Sequence, residues 1–186
     1  MTTHPGPLTL TADAFLAWVE EQPSDERFEL IGGRVVAMAP ERLEHIRAKT
    51  RSREVLDRAI AAAGLPCEAV GDGLGVRVDD ATFYIPDALV RCGLPLSGDT
   101  FVIFDPIIVV EVLSPSTRAV DMNAKLGGYV RMASLQYYLL VDTDERMVVH
   151  HRRGKDGAIE TRIVRDGSIA LDPPGLMLDI AELLPT

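Results

Sequence analysis

The stretch Ile107-Ile108-Val109-Val110-Glu111-Val112-Leu113-Ser114-Pro115-Ser116-Thr117 decides how the rest of the chain is read. Its near-continuous aliphatic run predicts a strand covered on both faces, as found inside a sheet flanked by helices. Ser114-Pro115-Ser116-Thr117 breaks the strand and starts a predicted helix, roughly Arg118 to Ser134. Glu111 is the anomaly. Strand alternation puts Ile107, Val109, Glu111 and Leu113 on one face. An ionised carboxylate there is costly unless it meets a cation, donates a proton or lies at an open edge of the sheet. A strand-end carboxylate pairing with an arginine, or capping the next helix, would also account for it.

Working upstream, Asp87 follows a proline within a predicted strand from Thr82 to Cys92. Proline removes a ladder donor and marks an edge, a start or a bulge, and bulges re-aim side chains. Two adjacent antiparallel strands with inward carboxylates at Asp87 and Glu111 could converge on one hard cation that retains waters, as Mg²⁺ does. An ordinary Pro-Asp turn is the plainer reading of Asp87. A preceding strand, Cys67 to Val78, is interrupted by Gly71-Asp72-Gly73-Leu74-Gly75, read as a bent hairpin.

Working downstream, Asp121, Lys125 and Tyr129 share a helix face. Gly127-Gly128 costs that helix roughly 1 kcal/mol per glycine relative to alanine. The cost is tolerable if the helix lies tight against the sheet, which would carry Lys125 towards the carboxylates. A surface Asp121–Lys125 pair is the alternative. Lys49, Lys125 and Lys155 are the only lysines among 19 basic residues, the others being arginine.

The remaining pattern predicts a short helix from Ala12 to Glu21 capped by Thr11, then a hairpin in which Phe28–Ile31 and Arg34–Met38 flank Gly32-Gly33. A long helix spans about Glu41 to Ala63. Tyr137 to Asp142 is a buried strand, Met147 to Arg153 and Ile159 to Val164 form a second hairpin, and Asp179 to Leu184 a short closing helix. His150-His151 is read as a strand pair pointing opposite ways. The whole is an α/β or α+β domain around a mixed sheet. It is taken as one unit over 1–186: an N-terminal helix and hairpin (1–40), a core with the site (41–146) and a C-terminal β extension (147–186).

With 47% apolar and 25% charged residues, the 186-residue chain has the composition of an ordinary globular domain. The opening residues lack a signal peptide and no apolar run reaches membrane-spanning length, so a cytoplasmic protein without a membrane partner is expected. Cys67 and Cys92 supply no framework for a disulfide or zinc scaffold. A net charge of −9 argues against a surface that is basic throughout. A local basic face remains on the long helix, where Arg42, Arg47, Lys49, Arg51, Arg53 and Arg58 outnumber Glu41, Glu44, Glu54 and Asp57.

Asp87, Glu111 and a lysine together resemble the signature of the PD-(D/E)xK nuclease superfamily, whose fold is restriction-endonuclease-like. The ordered string Phe28-Glu29-Leu30-Ile31-Gly32-Gly33, Glu44-His45, Pro86-Asp87, Glu111-Val112-Leu113-Ser114-Pro115-Ser116-Thr117, then Lys125 and Tyr129, resembles the bacterial Uma-type family of that superfamily from about Thr11 to Leu184. The superfamily lysine usually stands two residues after the second acid, where this chain has Leu113; the resemblance implies that Lys125 takes its place. The hairpin turn reads Gly32-Gly33-Arg34 where the family usually has an acid on either side of a glycine.

The resemblance implies a Mg²⁺- or Mn²⁺-dependent DNA endonuclease. Asp87 and Glu111 would hold the metal with the Val112 carbonyl as a further ligand, and Lys125 would act at the phosphate. Glu29 and His45 are further site candidates, each with a plain solvent or packing reading. A homodimer would let two sites cut both strands of a duplex. A non-catalytic interaction module that keeps the nuclease fold is the second expectation. Loss of the Lys125 side chain is expected to leave the fold intact, because its helix position has no large apolar burial to lose.

Overall fold

The computed structural model of the chain describes residues 9–114 and 124–184. Elements run α1 (Ala12–Glu20), β1 (Phe28–Ile31), β2 (Arg34–Ala37), α2 (Leu43–Ala63), β3 (Cys67–Gly71), β4 (Gly75–Asp79), β5 (Thr82–Tyr84), β6 (Ala88–Cys92), β7 (Val102–Ile103) and β8 (Ile108–Val112). They continue with α3 (Leu126–Tyr129), β9 (Tyr137–Asp142), β10 (Met147–Arg153), β11 (Ile159–Val164), β12 (Ser168–Leu171), β13 (Leu176–Asp179) and α4 (Ile180–Leu183).

Among the described residues the strands form a six-stranded sheet, β11-β10-β9-β8-β6-β3, a five-stranded sheet, β2-β1-β5-β4-β7, and the β12–β13 hairpin. The β8–β9 and β4–β7 pairs are parallel and the other pairs antiparallel. The expected α+β architecture with mixed sheets flanked by helices is therefore present, with the helix and hairpin at the front and extra β-structure at the back.

Strand β8 sits in the middle of the six-stranded sheet and is buried along its whole length, as its aliphatic run requires. Ile108, Val110 and Val112 pack with α2 residues Ala48, Val55, Leu56 and Ile60 in one core cluster. Val109 and Leu113 turn the other way, into a second cluster with Tyr84, Tyr129 and Tyr138. Glu111 lies on that second face. The front hairpin turns on Gly32 and Gly33, at φ of 56° and 80°. These are left-handed conformations that an L side chain adopts only with strain and that a two-residue hairpin turn needs. Thr11 caps α1 by accepting a hydrogen bond from the Ala14 amide at 3.2 Å.

Two predicted strands are each broken in half, and the breaks build the site. The chain leaves the six-stranded sheet after β3 and enters the five-stranded sheet at β4; it returns between β5 and β6. The segment 71–75 is therefore a crossing, since β3 and β4 do not pair. Pro86-Asp87 is the return crossing, where proline's missing donor costs the ladder nothing. Gly71 is registered against Ala88, so the two crossings, with Asp72 and Asp87, lie side by side.

The predicted helix from Arg118 has its first residues, 118–123, outside the described residues; from Leu126 it runs only to Tyr129 rather than Ser134. The early end has a tertiary cause. Arg153 donates to the carbonyls of Val130 (2.6 Å), Met132 (3.0 Å) and Leu135 (2.9 Å), satisfying acceptors that a longer helix would have used itself. The β12–β13 hairpin and β7 are additional to the expectation. Cys67 and Cys92 correct it: they are Cα partners across β3 and β6 and form a disulfide.

His150 and His151 do point opposite ways on β10, stacking on Tyr137 and Tyr138 respectively. Burial pushes the His150 imidazole down to about 4 and lowers His151 as well, which keeps them as packed neutral rings. Among the described residues no helix is long and apolar enough to cross a membrane.

Candidate active site

The site forms where β8 ends and the two crossings pass it. The Val112 peptide is its axis. The Val112 amide donates to Asp87 Oδ2 at 2.6 Å, while its carbonyl accepts from His45 Nε2 at 2.7 Å, so that nitrogen carries the proton. Asp87 and Glu111 are both almost fully buried.

On the Glu111 side, the Lys125 ammonium is 3.0 Å from Glu111 Oε1 and 2.9 Å from Glu29 Oε1. Glu29 also accepts the Ile85 amide at 2.8 Å, a donor released where β5 ends. Tyr129 donates to Glu111 Oε1 at 3.2 Å; burial first, and the Glu111 charge second, push its phenol well above the usual range, so it remains a donor. The face of Tyr84 lies 5.8 Å from the Lys125 ammonium, within cation–π range. Burial pushes the Tyr84 hydroxyl up to about 12.

Lys125 reaches this place because α3 lies against β5. A Cβ at Gly128 would stand 2.6 Å from Tyr84 Cε2 and 2.9 Å from Tyr84 Cζ, so only glycine permits the approach. Gly127 faces open space and has no such requirement. Lys125 is buried among carboxylates and an aromatic face, so the expectation that its loss would leave the fold untouched does not hold. Asp121, the other half of the proposed surface pair, lies outside the described residues.

On the Asp87 side stands a residue that the sequence placed only within the basic face of the long helix. Lys49 is 4% exposed, and its ammonium contacts Glu41 (2.7 Å), Asp72 (2.8 Å) and Asp87 (2.9 Å). Arg27 holds Asp72 from the opposite side through both guanidinium nitrogens. Burial alone would lower the Lys49 ammonium, but the Asp87 charge and hydrogen bonds to Asp72, Glu41 and Asp87 outweigh it and raise the group. Asp87 is driven upward by burial, against the Lys49 charge and the Val112 amide. His45 Nδ1 has no hydrogen-bond partner among the described residues and lies 3.6 Å from Glu41 Oε2. A cleft of about 880 Å³ opens beside this cluster, with Arg27, Glu41, Lys49 and Asp72 in its wall and Phe28 and Ile46 among its apolar lining.

The site candidates Glu29, His45, Asp87, Glu111, Val112 and Lys125 are thus linked through contacts at the end of β8. Sequence reasoning missed Lys49, Glu41, Asp72 and Tyr84. One signal was available for Lys49: Glu41, His45 and Lys49 are spaced four apart, on one face of the helix start.

Asp87 and Glu111 offer hard carboxylate oxygens beside one peptide, the donor chemistry that Mg²⁺ and Mn²⁺ prefer. Among the described residues no three His, Cys, Asp or Glu side chains form a ready-made cage. A cation held by one or two carboxylates and its own waters needs none, and the residues present fit such an ion.

The sequence pattern of the Uma2 family, described as "Putative restriction endonuclease", matches residues 12–182. The chain belongs to the Uma2 family. Two proteins from Synechocystis sp. are similar to it. The uncharacterized protein slr1290 is 31% identical over 153 residues, spanning 80% of this chain and 76% of that one. The uncharacterized protein sll1609 is 28% identical over 149 residues, spanning 79% and 82%. The fold is shared with the crystal structure of a "putative nuclease belonging to DUF820" from Anabaena variabilis, at a TM-score of 0.74 and 19% identity, over 94% of this chain and 97% of that one. For this Uma2 chain the expected family is thereby shown, and its fold is the one shared with that Anabaena variabilis protein.

Proposed function

We propose that this Uma2 protein is a Mg²⁺- or Mn²⁺-dependent endonuclease that hydrolyses phosphodiester bonds in DNA. The observation that carries the reading is the gathering of Asp87, Glu111 and Lys125 at the end of β8, within a family described as "Putative restriction endonuclease". Asp87 and Glu111 would hold the ion, with the Val112 carbonyl as a further ligand. When bound, it supplies Lewis acidity at the scissile phosphate and activates water for attack.

The chain's own groups do the rest. Lys125, anchored by Glu29, presents an ammonium to orient the attacking water or to offset charge growing on the phosphate. Tyr129 fixes one oxygen of Glu111, and His45 fixes the Val112 carbonyl. A homodimer belongs to this reading, because two sites related by a twofold axis serve both strands of a duplex. Cytoplasmic residence belongs to the same reading.

A second reading, a non-catalytic module that keeps the fold, draws on one observation: Asp87 and Glu111 each already have a lysine counter-ion. Calorimetry separates the two. The nuclease reading expects Mn²⁺ to bind the wild-type protein and binding to weaken at least ~10-fold in Glu111→Gln, the order of loss typical when a metal site is disturbed. Equal binding by both proteins would favour the module.

A further inference from the structure

We propose that Lys49 is a resident counter-cation that limits the site to one divalent ion, its ammonium holding the position between Glu41, Asp72 and Asp87 that a second ion would otherwise fill. The geometry is that of one ammonium held by three carboxylates. Three carboxylates from α2's approach, the first crossing and the second crossing meet one nitrogen at 2.7, 2.8 and 2.9 Å. An ammonium directs three donors from a compact point charge, which suits three separate carboxylates; a planar guanidinium fork does not.

The chain's own usage supports the choice. It prefers arginine throughout, yet Lys49 and Lys125 are buried among carboxylates while Lys155 is exposed. With Lys49 removed, the described members of this cluster are Glu41, Asp72 and Asp87 against Arg27, a formal surplus of two negative charges and the charge of one divalent cation.

The tethered cation also sets Asp87 before any metal arrives. Lys49 holds Oδ1 while the Val112 amide holds Oδ2, so the carboxylate is oriented by two fixed donors. Lys49 is thus a positioning residue, acting through Asp87. The one-ion limit rests on the metal-dependent reading above; the cation-mimic role of Lys49 does not.

The test compares wild type with Lys49→Met and, in case the methionine protein fails to fold, Lys49→Gln, whose neutral amide still donates hydrogen bonds. Thermal unfolding is followed in metal-free buffer and with Mn²⁺, and calorimetry counts ions per chain. Each variant is expected to melt below wild type without metal. Each should gain a Mn²⁺-dependent rise at least roughly 5 °C larger than wild type at ~100 times its dissociation constant, and bind one more ion per chain. A purely structural lysine would lower the melting temperature without changing the metal response. An ion count and a Mn²⁺ shift equal to wild type in both variants would overturn the inference. If wild type binds no ion at all, the nuclease reading fails by itself, and an ion taken up only by the variants still supports the role of Lys49.

Discussion

Alanine at position 125 is expected to abolish DNA cleavage and to weaken the fold in the same stroke. The cleavage loss follows from the place of the ammonium between Glu29 and Glu111. Removing an electrostatic stabiliser of this kind costs ~10²–10³ in rate. The fold is weakened because two buried carboxylates lose their cation, a change of ~3–5 kcal/mol when one partner of a buried pair is deleted.

The two effects come apart in the double variant Lys125→Met/Glu29→Gln, which removes one charge of each sign. It should regain much of the lost stability in urea unfolding and none of the cleavage. Lys125→Arg should cut poorly, because the longer planar fork cannot occupy a space bounded by two carboxylates and the Tyr84 ring. Wild-type cleavage by Lys125→Ala would remove Lys125 from the site.

Gly128→Ala should act on the same ammonium from a distance. The new methyl group would meet the Tyr84 ring at 2.6 Å, and that ring is itself almost fully buried. With no room for the ring to retreat, α3 must lift, carrying Lys125 and Tyr129 away from Glu111. Overpacking of this kind costs ~1–3 kcal/mol. A displacement near 1 Å at a positioned catalytic group costs up to ~10²-fold in rate. Gly127→Ala is the internal control, since nothing lies near its added carbon. It should melt at or above the wild-type temperature, gaining up to ~1 kcal/mol of helix propensity, and cut normally. Equal behaviour of the two alanine variants in thermal unfolding and plasmid cleavage would contradict the close approach of α3 to β5.

How much of this was legible in the sequence differs by element. Strands β9, β10 and β11 were readable to the residue, because β9 is an apolar run and β10 and β11 flank the turn residues Gly154-Lys155-Asp156-Gly157. Lys125 was readable for a similar local reason: a glycine pair one turn away announces a helix lying on something. The crossings at Asp72 and Asp87 were not. A strand interrupted by glycine or proline looks the same whether it continues in one sheet or passes into another, and only the pairing of β3 with β6 decides it.

Lys49 was hidden by the same fact. Its environment is made by three segments whose proximity depends on that register, so helix periodicity saw one charge among many. The Cys67–Cys92 bridge also depends on it, since their 25-residue separation says nothing until the register places them opposite each other. The β12–β13 hairpin escaped because Asp172-Pro173-Pro174-Gly175 between its strands reads as loop.

The measurement that bears most directly on the central claim is cleavage of supercoiled plasmid by the purified protein with Mn²⁺, run beside EDTA and beside the Asp87→Ala/Glu111→Ala protein. The account predicts nicked and linear DNA with Mn²⁺, and intact plasmid both in EDTA and with the double variant. Plasmid left intact by the wild-type protein under every metal condition, or cut equally well by the double variant, would contradict it.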